Sequence, residues 1–173
     1  MYSVDNQDRV VELKDVPPSS AGAPCPILLS DERRTLLAYL VQEKPYVFDG
    51  RVLTDADVAM FARPIALIEF HGCVSQMFGA PNDEAFNGHP LWSRGLRPYG
   101  AYQVENSSWI RQLERMNSVH PSHSPESFLQ GLKHFIFAFH DSTFECVAEG
   151  FTVFEHKGSF QSLLAEMHRR LRS

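Results

Sequence analysis

The sequence predicts a single α+β domain in which a mostly antiparallel, curved sheet has two or three helices packed against it. Segments with alternating apolar residues, typical of strands, recur along the chain, and phenylalanine, which favours strands, occurs 13 times. Strands and helices do not alternate regularly, which argues against a parallel α/β sheet. The 173 residues are enough for one domain with a substantial core.

Composition excludes several classes of protein. The net charge is −5 and no basic stripe occurs, which argues against a nucleic-acid partner. No apolar run approaches the roughly 18 residues of a membrane span, and the chain does not start with a signal pattern. Cys25, Cys73 and Cys146 form no C-x-x-C motif and no even set. We therefore expect a cytoplasmic protein whose partner is a small molecule or another protein. Exposed strand edges would also allow a homodimer.

The first segment, residues 1–24, is polar and ends in the proline-rich run PPSSAGAP. This composition predicts a flexible N-terminal arm, or else an extended segment that docks on a neighbour. The single α+β domain is then expected to span residues 25–173, with ordered structure beginning near Cys25.

Residues 27–42 contain two apolar runs separated by the charged tip Asp31-Glu32-Arg33. Ser30 could cap a helix that carries the second run, or the tip could turn a hairpin between two strands. We favour the hairpin, because the apolar runs begin abruptly on both sides of the tip. Farther along, Asp49-Gly50 predicts a hairpin or a tight turn, followed by a short helix through Met60.

Residues 65–78, IALIEFHGCVSQMF, predict a long strand with largely apolar even-numbered positions facing the core. The odd-numbered positions place Glu69, His71 and Cys73 on one face. His71 could activate Cys73 as a nucleophile with Glu69 beside it, so these three are the candidate catalytic residues. The favoured alternative is a histidine bonded to a carboxylate, next to a buried and inert thiol.

Residues 79–100 form a long segment rich in glycine and proline. Ordered loops of this length are uncommon and are often functional, so His89, Trp92 and Arg94 are candidate ligand-binding residues. The favoured alternative is a loop that wraps the sheet and packs its apolar residues against it. Those residues are Phe86, Leu91, Trp92 and Leu96.

A strand over residues 99–105 and three helices follow from local signals. Ser107 or Ser108 would cap the first helix. Ser124-Pro125 marks the start of the second, because proline is favoured in the first helical turn. Gly158-Ser159 precedes a segment with helical apolar spacing and would cap the third.

The densest strand signal is HFIFAFHDSTFECVAEGFTVFE, residues 134–155. Asp141-Ser142 is predicted to turn a hairpin. Alternation places phenylalanines on a core face and His134, His140 and Glu145 on the other face. These three are the candidate metal ligands, because histidine and carboxylate side chains bind a transition metal such as zinc. A solvent-facing ion pair is favoured over the metal, so the cofactor stays unknown.

No nucleotide-binding, zinc-protease, hydrolase-elbow or calcium-loop motif occurs. Each polar group has a structural interpretation that is favoured over its chemical one. We therefore predict a ligand-binding or protein-interaction domain without catalysis. The alternative is a small hydrolytic enzyme that uses a His/Glu/Cys cluster on an open sheet face. That alternative requires the polar faces of residues 65–78 and 134–149 to meet.

Overall fold

The computed structural model describes residues 2–42 and 64–172, which form two antiparallel sheets and three helices. This confirms the predicted α+β class and the mostly antiparallel pairing. The turn predicted at Asp49-Gly50 and the short helix through Met60 lie outside the described residues. Within the described residues, no helix has the length and apolar character needed to cross a bilayer.

The strands are divided between a five-stranded and a four-stranded sheet. The five-stranded sheet has, in spatial order, β1 (Arg9–Glu12), β6 (Ala101–Glu105), β7 (Lys133–Ala138), β8 (Thr143–Ala148) and β5 (Ser75–Gly79). The four-stranded sheet has β2 (Ile27–Ser30), β3 (Thr35–Leu40), β4 (Ile65–His71) and β9 (Gly150–His156). Every neighbouring pair is antiparallel.

Two connections carry the chain directly from one sheet into the other. β4 leads into β5 through residues 72–74, and β8 leads into β9 through Glu149. Gly72 has a φ of 56°, a left-handed conformation that glycine adopts without a side-chain clash. A Cβ at this position would lie 2.7 Å from the Glu149 side chain. The single strand predicted over residues 65–78 is therefore two strands, because the bend at Gly72 interrupts the alternation.

The inner faces of the two sheets enclose the main core. Its largest side chains are at most 2% exposed: Tyr39, Phe70, Phe135, Phe137, Phe139 and Phe144. The Phe70 ring lies 5.3 Å from the Phe144 ring, so aromatic contacts join the two sheets. The phenylalanines of the central hairpin face this core, as their alternation predicts.

Each sheet also buries its outer face. Leu163 and Met167 of α3 (Phe160–Arg172) cover the four-stranded sheet. The five-stranded sheet is covered by α1 (Ser108–Asn117), by the segment around Tyr2 and by residues 79–100.

The predicted helix starts are confirmed. Ser107 accepts a hydrogen bond from the backbone of Ile110 at the start of α1. Ser124 accepts one from Ser127 at the start of α2 (Pro125–Gly131). The backbone N–H of Ser162 donates to Ser159 Oγ at 3.2 Å at the start of α3.

Both hairpins predicted within the described residues exist, but one has a different turn. β2 and β3 pair around the charged tip, where Asp31 N donates to Arg34 O at 3.0 Å. In the central hairpin, Phe139 N donates to Ser142 O at 2.8 Å, so the turn is His140-Asp141. The predicted Asp141-Ser142 turn is therefore wrong, and the register moves by two residues. Because two residues is the strand period, each side chain keeps its predicted face.

The N-terminal segment is packed against the domain. β1 pairs with β6, and Tyr2, Asp8 and Val16 are 5%, 3% and 8% exposed. Asp8 Oδ1 accepts a hydrogen bond of 2.7 Å from the backbone of Ser108. Strand structure therefore begins before the predicted start near Cys25. Polar composition gave no sign of this, because a neighbouring strand satisfies the backbone of the segment and its few apolar side chains insert into the core.

Candidate functional site

The histidine–glutamate face of the central hairpin is sealed inside the protein. His134 is 0% exposed and Glu145 is 5% exposed. Glu145 Oε2 accepts hydrogen bonds from His134 Nε2 at 3.0 Å and from the Tyr2 hydroxyl at 2.7 Å. Its Oε1 accepts one from His89 Nε2 at 3.0 Å. We call Tyr2, His89, His134 and Glu145 the Glu145 cluster.

The hydrogen bonds assign charge within the Glu145 cluster. Leu91 N donates to His89 Nδ1 at 3.1 Å, so His89 is a neutral imidazole that donates from Nε2. Burial raises the pKa of Glu145, but the hydrogen bonds from His134 and His89 outweigh burial and lower it to about 2. Glu145 is therefore a buried carboxylate with both oxygens satisfied. Such an arrangement stabilises a fold but offers no room to a substrate.

His140, the third predicted metal ligand, is separate from the Glu145 cluster. It occupies the hairpin turn, where its Nδ1 lies 3.0 Å from Asp83 Oδ2. The Tyr99 ring stacks on the imidazole, and the Tyr99 hydroxyl donates to the same carboxylate. That hydrogen bond raises the pKa of Tyr99 to about 12. Among the residues that the structure describes, no group of three or more His, Cys, Asp or Glu side chains could hold a metal ion.

The three candidate catalytic residues do not form one site. Glu69 receives hydrogen bonds from Arg34 at 2.7 Å and from Arg170 of α3 at 3.0 Å. His71 is exposed, with its Nε2 2.8 Å from Thr152 Oγ1. Cys73 lies beyond the bend at Gly72 and packs against the main core. The three side chains do not share one face, because the alternation of the strand ends at the bend at Gly72.

The polar faces of the two strand regions also do not meet. The Glu145 cluster covers the outer face of one sheet and Glu69 lies on the outer face of the other, so the main core separates them. His71 pairs with Gly150 beyond one end of β8, whereas His140 precedes its other end. At about 3.3 Å per residue, β8 alone separates these histidines by roughly 17 Å. The described residues therefore form no shared His/Glu/Cys cavity.

The candidate ligand-binding residues of the 79–100 loop have structural partners. His89 belongs to the Glu145 cluster, Trp92 packs under Arg97 at 4.4 Å, and Arg94 donates to Asp5 O at 3.2 Å. Phe86, Leu91 and Leu96 are at most 1% exposed. The interpretation of this segment as a loop that wraps the sheet is confirmed.

A cleft of about 320 Å³ lies at one end of the main core, between the N-terminal segment and strands β3, β6 and β7. Its apolar wall consists of Leu13, Val16, Pro17, Pro18, Tyr39, Ala101, Phe137, Ala138 and Phe139. Glu12, Lys14, Ser19 and Tyr99 add polar groups. We call this space the Ser19 cleft. No local sequence pattern indicates this cleft, because its wall combines segments that are far apart in the chain.

Ser19 has an unused hydrogen-bonding group. Its side chain is 8% exposed, and its Oγ is buried without a hydrogen-bond partner in the described structure. Ser108 does not line the cleft, and its Oγ is also buried without a hydrogen-bond partner in the described structure. Leaving a buried hydroxyl unpaired costs about 1–3 kcal/mol, so such groups are rare unless something else binds them.

Comparison with protein-family models, with curated protein sequences and with solved structures finds no match to this chain. The functional proposal therefore rests on the geometry of the structure alone.

Proposed function

We propose that this protein is a small-molecule-binding domain whose ligand occupies the Ser19 cleft. The observation that carries the proposal is the buried, unpaired Ser19 hydroxyl in the wall of a cleft of about 320 Å³. Ligand sites are typically clefts of roughly 300–1,000 Å³ with apolar walls and a few polar groups that fix orientation. The Ser19 cleft has this size and this composition.

The walls indicate the chemistry of the ligand. Tyr39, Phe137 and Phe139 contribute aromatic surface, which suits a flat apolar or aromatic body. The Ser19 hydroxyl can donate or accept one hydrogen bond, so the ligand should carry one polar group at that end.

The rim of the cleft is held in place without the ligand. The hydroxyl of Tyr99, a cleft residue, is bonded to Asp83 and lies 3.0 Å from His140 Nδ1. The hydroxyl of Tyr39, which also lines the cleft, donates to Pro17 O at 2.8 Å. A site formed in advance loses less entropy on binding, which favours recognition of a small ligand.

The test uses two probes of the same shape: indole, which has one N–H donor, and indene, which has none. Titrations of the full chain are followed by backbone NMR shifts. Indole should bind about fivefold more tightly than indene, because a net hydrogen bond contributes about 1 kcal/mol. Shifts should concentrate at cleft residues such as Ala101.

Two variants form a matched pair, because each removes one unpaired buried hydroxyl. Ser19→Ala should abolish the preference for indole over indene, whereas Ser108→Ala should leave it intact. If neither probe binds in the millimolar range, or if the shifts cluster away from the cleft, the proposal is wrong. An unchanged preference in Ser19→Ala would also contradict it.

A further inference from the structure

Two of the three cysteines lie together where the chain passes between the sheets. Cys146 is on the inner face of β8 and is 0% exposed. Val74 N donates to Val147 O, and Ser75 also pairs with Val147, so two residues of one strand oppose one residue of the other. Such a bulge redirects the neighbouring side chain. Here Cys73 packs against the core that contains Cys146.

The two thiols affect each other's acidity. Interaction with the Cys146 side chain lowers the pKa of Cys73 to about 7, although burial opposes this. Cys73 Sγ donates a hydrogen bond of 3.5 Å to Ser75 O. Burial raises the pKa of Cys146. One sulfur is thus available as a thiolate near neutral pH, while its neighbour stays protonated.

Cys73 is also accessible. It lines a cavity of about 290 Å³ together with Ser30, Asp31 and Thr35, next to the β2–β3 turn. Cys146 does not line this cavity and lies behind Cys73 in the core. A small oxidant can therefore reach Cys73 first, and the second thiol is already beside it.

We propose that Cys73 and Cys146 form a peroxide-responsive thiol pair, in which Cys73 reacts with hydrogen peroxide and Cys146 resolves the product into a disulfide. First, the Cys73 thiolate attacks one peroxide oxygen, the O–O bond breaks and hydroxide leaves, which gives Cys73 sulfenic acid. Second, the Cys146 sulfur attacks the Cys73 sulfur, the S–O bond breaks, and the thiol proton leaves with the hydroxyl group as water. The two thiols lose two electrons in total, and the peroxide gains them.

The second step joins two side chains that belong to the same core, because Cys73 packs against the cluster that contains Cys146. The sulfurs must approach to about 2.05 Å in the disulfide. The bond would join the bulge before β5 to the inner face of β8. This modification site is independent of the Ser19 cleft, because none of its residues lines that cleft.

The experiment treats the full chain with a small excess of hydrogen peroxide at neutral pH, then denatures and alkylates it for intact-mass and peptide analysis. The chain has three cysteines. We expect alkylation to fall from three thiols to one, Cys25, and a peptide pair linked through Cys73 and Cys146.

Cys25→Ser is the matched control, because it removes the exposed thiol outside the pair. This variant should form the same disulfide at an unchanged rate. In Cys146→Ala the resolving thiol is gone, so dimedone should trap sulfenic acid on Cys73. The proposal is overturned if Cys25 is consumed while Cys73 and Cys146 remain alkylatable. It is also overturned if Cys73 in the unmodified sequence proceeds to sulfinic acid while Cys146 stays free; this outcome is read from the unmodified chain and does not depend on how any variant folds.

Discussion

The Glu145 cluster and the Ser19 cleft lie on opposite faces of the same five-stranded sheet, and they differ in chemistry and in access. The cluster holds two histidines and a carboxylate, yet its residues are at most 5% exposed and the Glu145 oxygens are satisfied. The cleft holds few reactive groups, but it has space and an unpaired hydroxyl. A ligand needs room and unused bonding capacity, so the less reactive region is the better candidate.

The largest expected effect tests whether the Glu145 cluster is structural. Glu145→Ala would leave the donors of His89, His134 and Tyr2 buried without an acceptor. We expect the free energy of unfolding to fall by about 3–5 kcal/mol, as for other broken buried pairs, measured by urea denaturation.

The matched control is Glu155→Ala, at an exposed position near the end of β9, which should change the free energy of unfolding by no more than about 0.5 kcal/mol. If Glu145→Ala lowered the free energy of unfolding as little as this control does, the Glu145 cluster would not stabilise the packing on the outer face of the five-stranded sheet.

The next effect is a loss of stability at low pH. The pKa of Glu145 is about 2 in the folded protein and 4.5 ordinarily. Because the folded pKa is the lower one, the stabilisation is complete above about pH 4.5 and is lost as the pH falls towards 2. The difference in unfolding free energy between the unmodified sequence and Glu145→Gln should shrink over this range, measured by urea denaturation at each pH. A difference that stays constant between pH 6 and pH 3 would show that the carboxylate carries no special charge stabilisation.

A smaller effect compares one tyrosine from each region. Tyr2 donates to the charged Glu145 at 2.7 Å, whereas Tyr39 donates to the neutral carbonyl of Pro17 at 2.8 Å. Hydrogen bonds to charged groups contribute about 1.5–3 kcal/mol and neutral ones about 0.5–1.5 kcal/mol. Tyr2→Phe should therefore lower the unfolding free energy by about 2 kcal/mol and Tyr39→Phe by about 1 kcal/mol, measured by thermal and urea unfolding. The reverse order would mean that the cleft wall, and not the cluster, depends more on its hydroxyl.

Much of the fold could be predicted from local pattern. Alternation assigned the phenylalanines of the central hairpin to the core. That assignment is correct although the predicted turn is wrong, because the register error of two residues equals the strand period. Ser107 and Ser124 marked helix starts because capping depends only on residues within one turn.

The candidate site was much less predictable. Alternation placed Glu69, His71 and Cys73 on one face, but it cannot foresee a bend between sheets, and Gly72 provides that bend. Alternation also assigned His134 and Glu145 to a common face correctly, yet it could not say whether that face was open.

The sequence by itself determined most of the strands, the two faces of the central hairpin and the helix starts, since these follow from residues close together in the chain. Only the tertiary structure decided which faces are covered, that Tyr2 reaches Glu145, that Cys73 packs against the core containing Cys146, and that Ser19 Oγ has no partner among the described residues. The physical reason is that burial and hydrogen-bond satisfaction depend on contacts between distant segments. Tyr2 and Glu145 are 143 residues apart, and no local pattern encodes such a pairing.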